Sequence, residues 1–262
     1  MTTDPTTQTR LIGDHGSAVP APGEPERAGA RIPFSTAIGR LSSAQKPGLG
    51  VPAYTRWVNR RVARLFAASF ASVGASPSAV SVVSIGVTLA GLAAFLLLQP
   101  TPLLAGVAAA VLLAIGYALD SADGQLARLQ GSSSLQGEWL DHTLDAVRLP
   151  AVHLTIATGF LLADGPVLAA LAAVFSVAAS AGFLSQNVGG LLRDNASGGR
   201  AQVRRFQSWI LLPTDPGVLC WVFALWAWPL GFAVVYLVLL GLNLAHVLLS
   251  SRRRWRELGA AS

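Results

Sequence analysis

Apolar residues fill most of the chain in blocks of about twenty, separated by short stretches that carry proline, glycine, serine or charge. At 1.5 Å of rise per residue, a helical block of that length matches the ~30 Å hydrocarbon core of a bilayer. The pattern predicts six spans, near 77–98, 102–128, 137–162, 166–192, 210–227 and 229–250. The fifth is the weakest. Pro213, Asp215, Pro216 and Gly217 interrupt its start, and the apolar run left over, Val218 to Trp228, is short enough that it would enter kinked or tilted.

Ahead of the first span the pattern becomes two-faced. Arg56, Arg60 and Arg64 recur every four residues, while Val58, Val62, Phe66 and Phe70 recur on another face. This predicts an interfacial amphipathic helix over 52–73, lying on the cytoplasmic leaflet. Ser76 then offers a helix cap, with Pro77 at the first helical position. Residues 1–50 are rich in Thr, Pro, Gly, Ala and Ser and predict a disordered cytoplasmic tail, in which Ile32, Phe34, Ile38 and Leu41 could form a short surface helix. The expected organisation is an all-α integral membrane protein: tail, amphipathic helix, a six-span domain over 77–250, and a basic cytoplasmic tail over 251–262.

Composition agrees with a membrane protein. The 262 residues are 52% hydrophobic and only 12% charged, with a mean hydropathy of +0.53. The net charge of +6 comes mainly from arginine, since lysine occurs once, and it would by itself suit nucleic acid. The arginines instead cluster beside apolar blocks: Arg56 to Arg64, Arg193, Arg200, Arg204, Arg205, and Arg252 to Arg256. The turns expected after spans one, three and five carry no Lys or Arg. The positive-inside rule therefore puts both termini and the segment between spans two and three in the cytoplasm, which an even number of spans allows. Trp221, Trp226 and Trp228 on the outer side, and Trp57, Trp209 and Trp255 on the inner, read as interfacial belts. The small residues from Ala169 to Gly182 favour close helix packing and could serve a dimer. Cys220, the single cysteine, excludes an intramolecular disulfide. No secretory signal pattern is visible near the start, and the arginine-rich, lysine-poor composition points to a bacterium, hence to the cell membrane.

The chemistry concentrates between Asp120 and Asp145, DSADGQLARLQGSSSLQGEWLDHTLD. Ionisable groups at membrane depth cost at least ~2.5 kcal/mol each and mark sites. Asp120 and Asp123 are three residues apart and Asp141 and Asp145 four, so each pair shares a helix face. The Gly/Ser-rich stretch 130–136 predicts a turn, and folding there brings Asp120 level with Asp145 and Asp123 level with Asp141. Four facing carboxylates repel unless a cation lies among them, and an all-oxygen donor set suits Mg²⁺ or Mn²⁺. Gly124 and Gly137 leave room for a ligand, and Arg128 offers a planar fork for phosphate. Together these are the parts of a phosphoryl-transfer site.

The stretch resembles the signature of the CDP-alcohol phosphotransferase superfamily, D-x2-D-G-x2-A-R-x8-G-x3-D-x3-D, at Asp120, Asp123, Gly124, Ala127, Arg128, Gly137, Asp141 and Asp145, with no departure. The resemblance implies a homodimeric enzyme of phospholipid synthesis. In its reaction a hydroxyl attacks the β-phosphorus of a CDP-linked alcohol and CMP leaves. By the chemistry of these residues, divalent ions, two Mg²⁺ or Mn²⁺, would be held by Asp120, Asp123 and Asp141, and Asp145 would complete the cluster or act as general base. By the resemblance, Asp123, Gly124, Ala127, Arg128 and Gly137 would line the CDP pocket. The expected reaction transfers phosphatidyl from CDP-diacylglycerol to a polar alcohol; the alternative transfers a phospho-amino-alcohol from its CDP ester to diacylglycerol.

The acceptor site is less legible. Branches using phosphorylated acceptors carry basic residues after span four, whereas the corresponding Ser185-Gln186-Asn187-Val188-Gly189-Gly190 has none before Arg193. His142, Arg193, Arg200 and Arg204 are the candidate acceptor groups. His153 and His246 read as hydrogen-bonded core residues. Two competing classes are a cation transporter, disfavoured because the acids lie at one membrane face, and a non-catalytic interaction protein, disfavoured by the complete aspartate set.

Overall fold

The computed structural model describes residues 31–43, 50–196 and 207–259, and their regular structure is helical throughout. Within the stretch expected to be a disordered tail stands a ten-residue helix, α1 (Phe34–Ser43). It docks through Ile32, Ala37 and Leu41, all buried, and Ile32 N–H donates to Ala71 C=O at 3.0 Å. The rest of 1–30 lies outside the described residues.

Across the segment expected to be an amphipathic helix, a π-helical turn, Thr55–Asn59, runs into α2 (Arg60–Val73). The deepest part of its inward face is the alanines Ala63, Ala67, Ala68 and Ala71, which let α2 lie close against α1 and α4 (Pro102–Leu129); of the expected apolar stripe, Phe66 and Phe70 pack half-buried against the same cluster. Trp57, Val58, Val62 and Leu65 are left exposed, an apolar outer face suited to lipid. Gly74 ends α2 in the left-handed conformation.

Among the described residues five helices are long and apolar enough to cross a membrane: α3 (Pro77–Leu97), α4, α5 (Leu135–Leu162), α6 (Pro166–Ala196) and α9 (Pro229–Gly259); the short helices α7 (Gln207–Ile210) and α8 (Pro216–Val222) come between α6 and α9. Four of the five start on proline, whose missing N–H is no loss in a first turn. As the sequence implies, Ser76 Oγ caps α3 by accepting Ala79 N–H.

In place of a continuous fifth span, the chain passes through α7, a 3-10 turn at Leu212–Thr214, α8, and a second 3-10 turn at Phe223–Leu225. This segment runs antiparallel to α4. At one end Asp215 accepts from Thr55, whose hydroxyl also pairs with Tyr117 OH at 2.7 Å; at the other, Phe223 and Trp226 crowd Gly106. Pro216–Leu225 measures ~15 Å as a helix, half a hydrocarbon core. One expected belt tryptophan is corrected here: Trp226 is buried and donates to Gln99, whereas Trp221 is exposed and donates to Tyr54 OH.

One core cluster gathers Phe95, Phe160, Phe175, Phe223, Trp226 and Phe232, many in edge-to-face contact. His153 belongs to it, stacked on Phe175 and hydrogen-bonded to Tyr236 OH at 2.8 Å, and Cys220 is buried there too. Ala169, Ala172 and Ala178 on α6 are buried within the chain, and Gly182 faces Val247 of α9, so much of the small-residue stripe is spent inside the protomer.

The arrangement that positions the site is α3 packed against both α4 and α5, while α4 and α5 hardly touch each other. The expected hairpin is splayed, and its two acidic faces look at one another across a gap.

Candidate active site

α4 ends at Leu129, Gly131 reverses the chain at φ 61°, and Ser134 Oγ caps α5 by accepting Gly137 N–H at 3.1 Å. A left-handed residue at the reversal favours glycine, which the sequence supplies. The two helices then carry Asp120, Asp123, Asp141 and Asp145 toward a common space.

Asp120, Asp141 and Asp145 offer carboxylate oxygens within 4.8 Å of one another. Asp123, expected as a fourth ligand, is turned aside: its oxygens accept from Ser81 Oγ–H and from Gly124 N–H, and it is buried. The three converging acids come from two helices, are all partly buried, and present only oxygen. That donor set fits a hard divalent cation such as Mg²⁺ or Mn²⁺.

Arg148 is the residue that sequence reading missed. Its Nη1 donates to Asp120 Oδ1 and to Asp145 Oδ1, both at 2.6 Å, and its Nη2 donates to Ser84 Oγ at 2.8 Å. Ser84 in turn donates to Gly116 C=O at 2.9 Å. The signal was available: an arginine one turn beyond Asp145 inside an apolar span is itself an expensive charge needing a partner.

Two pockets meet the acids from different sides. A cleft of about 690 Å³ is lined by Asp123, Gly124, Ala127, Arg128 and Gly137, together with Asp141 and the serines of the turn. The five residues expected to bind CDP thus share one cleft. Arg128 Nε and His142 Nδ1 are buried there without hydrogen-bond partners, polar atoms that a bound ligand could satisfy. A second, smaller cavity of about 330 Å³ takes in Asp120, Asp145 and Arg148 but neither Asp123 nor Asp141. The acid cluster therefore stands between the two.

Of the candidate acceptor groups, His142 lines the cleft, with Nδ1 at 3.6 Å from Asp141 and its ring edge-on to Phe183. Arg193 lies on α6 with its side chain outside the described residues, as are Arg200 and Arg204 altogether. Near the end of α6, Arg254 of α9 donates to Ser185 Oγ at 3.4 Å. In the wall of the small cavity Asp215 accepts from Thr55 N–H and Oγ–H and from Gly217 N–H.

No curated protein sequence matches the chain significantly. A family model described as CDP-alcohol phosphatidyltransferase matches residues 75–247, well over half of the chain and all of the aspartate motif. The chain belongs to the CDP-alcohol phosphatidyltransferase family.

Proposed function

We propose that this protein transfers a phospho-alcohol from a CDP-linked donor to a hydroxyl acceptor, releasing CMP, in membrane phospholipid synthesis. The observation that carries the reading is the convergence of Asp120, Asp141 and Asp145 within 4.8 Å beside a cleft lined by every remaining motif residue.

The cleft suits the CDP end of the donor. Gly124 and Ala127 leave the α4 surface bare where a pyrophosphate has to approach backbone, and Arg128 presents its fork to the phosphate oxygens. A divalent cation held by Asp120, Asp141 and Asp145, with Asp123 at hand, would neutralise the diphosphate and the charge developing on CMP. Asp145 takes the proton of the incoming hydroxyl: it lies on the cavity side of the cluster, part-buried among other acids. Ser81 and Gly124 N–H hold Asp123, and so fix the start of the cleft wall.

The arginine distribution supports placing the acids and both ends of the chain on the cytoplasmic face of a bacterial cell membrane, with the broken segment 207–228 as a sixth crossing. A homodimer would pair through a face other than the buried part of the α6 alanine stripe.

The test is CMP release by purified full-length protein in detergent, from CDP-diacylglycerol and from CDP-ethanolamine, with Mg²⁺ or Mn²⁺ and a range of hydroxyl acceptors. Release that requires the ion and disappears in EDTA is the expected result. No release from either donor with any acceptor would sink the reading.

A further inference from the structure

Beside its acids α4 carries a second polar stripe. Tyr117, Ser121 and Gln125 recur every four residues, and each is hydrogen-bonded to the segment that runs into α2. Tyr117 OH meets Thr55 Oγ at 2.7 Å, Asn59 Nδ2 donates to Ser121 Oγ at 2.6 Å and to Tyr117 C=O at 3.3 Å, and Gln125 Nε2 donates to Arg60 C=O at 3.2 Å. Past the end of the helix, Gln130 Nε2 donates to Ala75 C=O at 3.0 Å. Thr55, Asn59 and Arg60 all precede the matched stretch 75–247, and the aspartate motif gives them no part.

Within this ladder Asn59 is the member that a packing role does not explain. It is 2% exposed, and its Oδ1 has no hydrogen-bond partner among the described residues. A buried polar atom left unpaired is unfavourable, and leucine, with the same branched shape, would remove it from a surface otherwise packed through alanines. What asparagine supplies and leucine cannot is an amide nitrogen with two hydrogens. Tyr117 C=O can only accept, so that nitrogen faces α4. It bridges a single turn, from Tyr117 to Ser121, and Asp120 stands on that turn.

The turn needs a support of this kind. Because α4 and α5 hardly touch, no direct contact between them sets the height at which Asp120 meets Asp141 and Asp145. The next part of α4 is held by other means: Ser81 donates to Asp123, and Gln125 and Gln130 bind backbone carbonyls of 60 and 75. The cleft wall from Asp123 to Arg128 therefore keeps its own anchors when Asn59 is changed.

We infer that Asn59 is a positioning residue for the transfer: by bridging Tyr117 C=O and Ser121 Oγ it fixes the turn of α4 that presents Asp120 to the cation. This rests on the proposed transferase reaction, in which Asp120 is one of the acids holding that ion. Asn59 touches neither donor nor ion; it acts through the backbone of its neighbour helix.

The test compares the parent, Asn59→Leu and the pair Asn59→Leu/Ser121→Ala, each as full-length protein in detergent. The pair removes both partners and strands no polar atom, so it is expected to unfold at the parent's temperature or above. Mn²⁺ binding, measured by calorimetry without donor, is expected to weaken about tenfold to a hundredfold in both variants, as when a group that orients a metal ligand is removed. With donor and acceptor present, kcat is expected to fall about a hundredfold while KM for the CDP donor stays within about threefold, since a misplacement near 1 Å is enough for such a loss. Mn²⁺ affinity in the pair equal to the parent's overturns the inference. So does a pair that unfolds well below the parent, because Asn59 would then hold the fold and not one turn of it. If the parent itself releases no CMP, the transferase reading fails, and the Mn²⁺ measurement, which needs no turnover, still decides whether Asn59 positions Asp120.

Discussion

Arg148 holds two of the three acids that a divalent cation would need, and replacing it with methionine separates the two roles of those acids. The guanidinium is only 11% exposed, and its 2.6 Å contacts reach Asp120 and Asp145 alike. Without metal, Arg148→Met leaves buried carboxylates uncompensated, a loss of the kind that costs about 3–5 kcal/mol. With metal the sign reverses. A unit charge ~4 Å from a dication is repelled by ~2 kcal/mol even at the dielectric of water, about thirtyfold in Kd. The variant is therefore expected to bind Mn²⁺ about thirtyfold more tightly than the parent, read by calorimetry or by the loss of free-ion resonance signal. In EDTA it should lose its monodisperse form at a lower temperature, and Mn²⁺ should recover far more stability for it than for the parent. Arg148→Lys, which keeps the charge, should lie near the parent. Unchanged or weaker Mn²⁺ binding in Arg148→Met refutes the reasoning, and would mean that the guanidinium does not compete for those oxygens.

Other changes probe single parts of the site. Asp145→Asn should abolish CMP release while CDP-alcohol binding, measured by equilibrium dialysis, stays within a few-fold; loss of binding as well would mean that Asp145 acts by holding the cation or the fold and not as the base. Arg128→Lys keeps the charge but loses the fork, and should raise the donor KM about tenfold with a smaller change in kcat. Gly116→Ala would press a methyl group onto Thr88 Oγ and Ser84 C=O where α3 and α4 meet, and should cost about 1–3 kcal/mol, seen as a lower unfolding temperature.

The motif residues were legible because two local rules combine there. Helical spacing puts each acid pair on one face, and a Gly/Ser turn brings the faces opposite. Those rules say nothing of how far apart the helices stand. The gap between α4 and α5 depends on α3 packing against both, which no pattern within 120–145 records. Asp123 illustrates the same limit: its partner Ser81 lies 42 residues earlier, in a span where a serine reads as packing. On α2 the valine and phenylalanine stripe was visible as the apolar side, yet only Phe66 and Phe70 of it pack inward, half-buried, while alanines make the closest contact, since close approach of backbones rewards small side chains over large ones. Trp226 read as an interfacial anchor because hydropathy locates a residue along the membrane normal and not around the helix; Gln99, which receives its N–H, sits in another span's end.

The broken segment 207–228 sets a condition on its neighbour. Backbone without continuous helical pairing at membrane depth survives only where other groups complete it. Asn243 does so from α9: its amide reaches across to Pro213 C=O, a carbonyl at the 3-10 turn, while also holding Leu239 C=O in its own helix. A hydropathy scale scores Asn243 as a blemish in an apolar helix, and leucine there as an improvement. The opposite follows from the geometry, because leucine would leave the turn carbonyl without its Asn243 partner and loosen the cavity wall that Pro213 and Asn243 share. In this fold the polarity of one helix is the measure of irregularity in another.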